Sequence, residues 1–199
     1  ATPFLPYAYM RRGASNFNLK LYDRAIADYA TVVQRFPNHP AAEDALVPLQ
    51  EALATAGKSN EFQNYLTQFK SANPDHKSLE GLEYETAKSF YFNQEYQKAV
   101  TALQGFLNSY PQTGSKLEAQ YYIAESYYRL GELEKALPIY KELTNNPSFQ
   151  MVNRTVTRSA EIEFAQGKHA DAILSFHKVE RLATNKRDQY NAWSGLMEA

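Results

Sequence analysis

Cysteine is absent from all 199 residues, which removes disulfides, thiolate metal sites and a thiol nucleophile together. An excess of charge is lacking too: 21 Lys and Arg stand against 22 Asp and Glu, a net charge of -1. The sequence therefore has neither the basic surface that non-specific nucleic-acid binding needs nor an acidic tail. No apolar run approaches the ~18 residues of a membrane span, so direct membrane insertion is not expected. The opening ATPFLPYAYM has no charged start followed by a long apolar stretch, unlike a secretory signal.

Chemical motifs are equally scarce. The eight glycines form no GxGxxG or GxxxxGK[ST] loop to cradle a phosphate. His39, His76, His169 and His177 show no HExxH or comparable ligand spacing. His39 and His76 read as polar loop residues, His169 as a packing position between helices and His177 as a residue of an outer helix. Glu80 with Glu83, and Glu161 with Glu163, read as solvated helix surface, and nothing brings an acid–base partner to them. Lys186, Arg187 and Arg181 read as a small solvated cluster. No catalytic residue, metal or cofactor is expected, and the chain reads as a non-enzyme.

What is present is a repeat. Ala25, Ala99, Ala136 and Ala172, in YDRAIADY, YQKAVTAL, LEKALPIY and HADAILSF, stand 74, 37 and 36 residues apart. Halving the first gap lands on Phe62 in NEFQNYLTQF, a weaker copy. Pro37, Pro74, Pro111 and Pro147 keep the same step, 37, 37 and 36. We read five units, approximately 6–39, 40–76, 77–113, 114–149 and 150–186, in a single domain of 1–199. The run 187–199 is a capping helix or the first helix of a further unit, and we favour a chain cut from a longer array.

Each unit reads as two helices. In the fourth, Ser115 with Glu118 forms a capping-box start, apolar residues follow at three- and four-residue spacing, and Gly131 supplies a turn before a second helix near Glu134. Gly57 and Gly167 take the same turn position, which Lys20 and Gln94 fill in the other two units. Pro48 should kink the first helix of the second unit, where Gln50 and Phe62 also replace small residues. In the last segment Trp193, Leu196 and Met197 share a face suited to packing on the preceding unit.

Paired helices repeating in register cannot bury their apolar faces alone and must stack. Here the chain resembles the tetratricopeptide repeats. The likeness rests on a small residue in the first helix (Gly13, Ala87, Ala124, Ala160) and an alanine twelve positions later in the second. It includes Tyr22, Tyr96 or Leu133 three before that alanine, an apolar residue four after it (Tyr29, Leu103, Tyr140, Phe176) and the closing proline. The resemblance implies an all-α, right-handed superhelical solenoid of antiparallel helix pairs. The period exceeds the family's ~34 residues. That length, with NSYPQTGSKLEAQYYIAESYYRLG and QRFPNHPAAEDAL, is similar to the repeats of bacterial envelope proteins such as the outer-membrane assembly lipoprotein and the Tol-Pal coordinator. This implies an extracytoplasmic, periplasmic setting rather than a cytoplasmic one.

In the tetratricopeptide family the first helix of each pair lines a concave groove. Carried over by register, this implies a partner-binding stripe of Phe17, Tyr84, Lys88, Tyr91, Phe92, Tyr121, Glu125, Tyr128, Arg129 and Phe164, with Tyr127 turned to the paired helix. Aromatic anchors with interspersed charge suit a protein or peptide partner. The set of Lys, Asn and Arg with which some family members grip a terminal carboxylate is missing, since Tyr84, Lys88, Tyr121 and Glu125 fill its places. The competing reading is a spacer or self-assembling scaffold, in which the tyrosines only pack against neighbouring repeats and homo-oligomers form.

Overall fold

The computed structural model describes residues 3–74 and 79–199; His76 lies outside them. Among the described residues the fold is all-α. The helices are α1 (Leu5–Asn18), α2 (Tyr22–Arg35), α3 (Pro40–Asp44), α4 (Leu46–Thr55), α5 (Phe62–Ala72), α6 (Glu80–Phe92), α7 (Tyr96–Ser109), α8 (Lys116–Arg129), α9 (Leu133–Thr144), α10 (Val152–Ala165), α11 (His169–Leu182) and α12 (Lys186–Glu198). A single 3₁₀ turn, Ser59–Glu61, precedes α5. Helix pairs packed against each other include α1 with α2, α8 with α9 and α10 with α11, as paired repeats require. The chain divides into two compact units, Ala1–Ser89 and Phe90–Ala199.

The pairing follows from where small side chains fall. Ala25, Ala99, Ala136 and Ala172 in the second helices are fully buried, as are Ala124 and Ala160 in the first. Their methyl groups let two backbones approach where a longer side chain would overpack. At Gly13 even a methyl is excluded, because a Cβ added there would stand 2.8 Å from the ring of Tyr29. In the first unit the remaining core is aliphatic and aromatic, with Leu46, Leu49, Leu53, Phe62, Leu66 and Phe69 all buried. In the second, Tyr140, Leu143, Phe149 and Ile162 fill the main cluster.

All five turns between paired helices close the same way. Residues 20, 57, 94, 131 and 167 have φ between 61° and 76°. In the α8–α9 turn the N–H of Gly131 donates to Tyr128 O and that of Glu132 to Tyr127 O, the Schellman pattern. The same two bonds recur at the other four turns. Three turns use glycine, while Lys20 and Gln94 adopt the left-handed conformation at a steric cost.

Three local expectations change. Pro48 does more than kink its helix: the segment splits into α3 and α4 at Ala45, because Pro48 has no N–H for the carbonyl four residues back and its ring crowds that carbonyl. Ser115 sits at the start of α8 but its side chain caps nothing; its own N–H donates to Thr113 Oγ1 at 3.1 Å. His39 is the N-cap of α3, its Nδ1 accepting from Ala41 N.

The face of α12 also differs from the expected one. Trp193 and Met197 are 51% and 84% exposed, and the buried residue is Ala192. Gly195 meets Phe176 so closely that an added Cβ would lie 2.3 Å from its ring. Ala192 and Gly195 let α12 approach α11 closely, as Gly13 does at its own crossing, while Leu196 packs partly buried beside Phe176 and Trp193 Nε1 donates to Glu180 of α11 at 2.7 Å.

Candidate functional site

The second unit contains an open cleft of about 750 Å³ bordered by α6, α8, α10, α11 and α12. Its wall is built on a buried carboxylate. Glu125, midway along α8, is 3% exposed. Its Oε1 accepts from the Tyr140 hydroxyl at 2.6 Å and from Arg158 Nε at 3.3 Å, and Oε2 accepts from the Tyr91 hydroxyl at 3.4 Å. A buried charge is tolerable only when paired and hydrogen-bonded in this manner.

Arg158 links that carboxylate to a second one. Its NH1 donates to Glu161 Oε2 at 2.8 Å, and the Tyr128 hydroxyl donates to the same oxygen at 3.1 Å. The guanidinium also lies over the Tyr128 ring, 4.3 Å from its centroid, within cation–π range. Burial opposes the Arg158 charge, but the Glu161 hydrogen bond and the charges of Glu125 and Glu161 outweigh it and raise its pKa. The hydroxyls of Tyr91, Tyr121 and Tyr140 are raised, first by burial and then by the charge of Glu125; for Tyr128 the second cause is Glu161.

The stripe expected from the register is distributed unevenly. Tyr91, Tyr121, Glu125 and Arg129 border this cleft. Tyr121 is only 4% exposed, covered by Tyr122 and Phe149 with ring centroids at 5.5 and 5.9 Å. Glu125 and Tyr121 therefore shape the wall from beneath rather than projecting from it. Tyr128 stands beside them through Glu161, and Phe92 is largely exposed with its ring against Tyr91 and Tyr122. Phe164 is elsewhere, packed edge-on against His169 and among Ala160, Ala172 and Phe176. Tyr127 is half-buried, its hydroxyl accepting from Gln104 and its ring under Lys135.

Phe17, Tyr84 and Lys88 belong to the first unit. Phe17 packs edge-on against Tyr22. Tyr84 is 5% exposed, with Lys88 Nζ 4.8 Å from its ring centroid and paired to Glu85.

The cleft also gathers Asn153, Arg154 and Arg158 from α10 and Asn191 from α12, which sequence patterning passed over, beside Thr157 and Arg187. The available signal was helical spacing: Arg154 and Arg158 stand seven and three residues before Glu161, on one side of α10. Arg187 is not in a solvated loop; it occupies the first turn of α12.

Comparison with known proteins bears on the fold and the repeats. Two tetratricopeptide-repeat family models match, over residues 7–39 and 84–148, and these segments support the tetratricopeptide-repeat family. No curated protein matches the sequence. Among solved structures, MamA of AMB-1 is 18% identical with a TM-score of 0.58, over 89% of this chain and 91% of that one. The nearly identical TPR-like repeats of a proposed kinesin light chain from Podosopora anserina are 16% identical with a TM-score of 0.54, over 91% of this chain and 95% of that one. At such identities the likeness is one of fold.

Proposed function

We propose that this chain of tetratricopeptide repeats is a non-enzymatic interaction module, and that the cleft of its second unit seats a peptide or protein partner. The observation that carries the reading is the pairing of an open space of about 750 Å³ with a wall held rigid by the Glu125 network. A preorganised wall spares a ligand the entropy of ordering it. Tyr91, Phe92, Tyr128 and Arg129 offer surface to the partner, while Tyr121 and Glu125 act as positioning residues below. Phe17, Tyr84, Lys88 and Phe164 extend the same proposal to the other repeats. The periplasmic setting within a larger bacterial protein belongs to the proposal too, resting on repeat length and phrase.

One observation favours a second reading, a scaffold that self-associates. Tyr190, Trp193 and Met197 are 70%, 51% and 84% exposed, and their spacing puts them on the face of α12 opposite Ala192. A photo-reactive amino acid at Thr157 or at Met197 separates the two. A partner cross-linked from Thr157 supports the module; a second copy cross-linked from Met197, with nothing at Thr157, overturns it.

A further inference from the structure

Within the cleft Glu125 and Glu161 are ion-paired, and three of the cations are not. Four arginines border it, Arg129, Arg154, Arg158 and Arg187, together with Glu125, Glu161 and Asp188. Arg158 serves both glutamates, which also take hydrogen bonds from Tyr140, Tyr91 and Tyr128. Asp188 accepts from Asn185 Nδ2 at 2.8 Å. Arg154 lies near the Tyr121 hydroxyl and Arg129 near that of Tyr91. A phenol satisfies one of the five N–H donors of a guanidinium and none of its charge. Among the described residues Arg187 has no partner and none of these three arginines forms an ion pair.

Three guanidinium forks without a bonded carboxylate, two of them beside neutral hydroxyls, form a receptor for carboxylates, which pair with such forks through two parallel hydrogen bonds. They come from three helices, α8, α10 and α12, around one space of about 750 Å³. A single small anion occupies one fork, whereas carboxylates spaced along a chain reach several. We propose that the ligand of the cleft is an acidic peptide segment, whose side-chain carboxylates pair with Arg129, Arg154 and Arg187. This rests on the interaction-module reading above and names the class of partner. The whole chain carries a net charge of -1, so the attraction is local to the cleft.

The test is fluorescence anisotropy with a labelled octapeptide of alternating Glu and Ser, and its Gln–Ser twin. The acidic peptide is expected to bind at least about tenfold more tightly than the neutral one, and Arg129→Gln, Arg154→Gln and Arg187→Gln are each expected to weaken it about tenfold. Arg11→Gln removes the same charge from the exposed face of α1 and is expected to change nothing. Arg129 and Arg187 are exposed, so their variants keep the fold, which a thermal melt verifies. Equal binding of the two peptides, equal weakening by Arg11→Gln, or displacement by inorganic phosphate at matched charge concentration overturns the proposal. If the acidic peptide fails while the Thr157 cross-linker still captures a partner, the ligand class falls and the module reading stands. If the acidic peptide binds and the arginine variants weaken it, both the ligand class and the module reading stand, whatever the cross-linker captures.

Discussion

The hydroxyl of Tyr140 donates a 2.6 Å hydrogen bond to Oε1 of Glu125, in a place where Tyr140 is fully buried and Glu125 is 3% exposed. The position four after the repeat alanine is thus more than an apolar plug: in this repeat it carries the best-aligned donor to a carboxylate that supports the cleft. In the first repeat the same position, Tyr29, presses on Gly13.

Removing that donor should be costly. Tyr140→Phe keeps the ring and leaves Glu125 with two longer contacts, at 3.3 and 3.4 Å. A loss of about 1.5 to 3 kcal/mol is expected, the range for hydrogen bonds to charged groups. Urea unfolding of the variant checks it, and adding Glu125→Gln, which removes the charge, should recover part of the loss.

Alkali should weaken the fold through the same network. The hydroxyls of Tyr91, Tyr121, Tyr128 and Tyr140 are raised in the folded chain. As pH climbs, the unfolded chain releases these protons first, so it binds fewer protons than the native state and stability falls. The contribution is fully present below the ordinary tyrosine value of about 10 and is lost as pH rises through the folded values. Urea midpoints at about pH 8 and about pH 11 should show this decline, and Tyr140→Phe should decline less. An identical decline in the two proteins would contradict the assignment.

The two turns without glycine can be improved. Lys20 and Gln94 hold φ of 61° and 64°, which costs a residue with a Cβ about 1 to 2 kcal/mol. Glycine avoids that cost but gains about 0.4 to 1 kcal/mol of unfolded-state freedom. Lys20→Gly and Gln94→Gly should therefore each stabilise by about 0.5 to 1 kcal/mol, and Gly131→Ala should destabilise by a similar amount. Melting temperatures of the three variants decide the sign.

Close approaches should be intolerant of a single methyl. Gly13→Ala would set a Cβ 2.8 Å from Tyr29, and Gly195→Ala one 2.3 Å from Phe176. Each should cost about 1 to 3 kcal/mol by overpacking, as should Ala136→Leu at its fully buried crossing. An unchanged midpoint for Ala136→Leu would contradict the assigned crossing. Gly105→Ala is the control, since an added methyl there meets nothing within 4 Å.

How much was legible depends on how local the constraint is. Turn positions 57, 131 and 167 announce themselves because only glycine adopts positive φ without strain; Lys20 and Gln94 were found only by their spacing from those. The crossing alanines recur because helix proximity admits few side chains. Ser115 looked like a cap by pattern alone, and its rotamer went elsewhere. Of Trp193, Leu196 and Met197, Leu196 packs on the preceding helices while Trp193 and Met197 stay largely exposed, because hydropathy says what can be buried, not which side chains will be.

The sequence by itself determined the repeat, the paired helices and their turns, because these depend on contacts within some 40 residues and recur often enough to be counted. Tertiary structure alone decided which tyrosines are wet. Tyr121 and Glu125 share a stripe with Tyr128, yet the first two are buried and Tyr128 is only partly so, because Tyr122 and Phe149 cover Tyr121 while Tyr140 from α9 and Arg158 from α10 close on Glu125. It likewise decided that three arginines on three helices face one cleft, a convergence that no helical period along a single segment can encode.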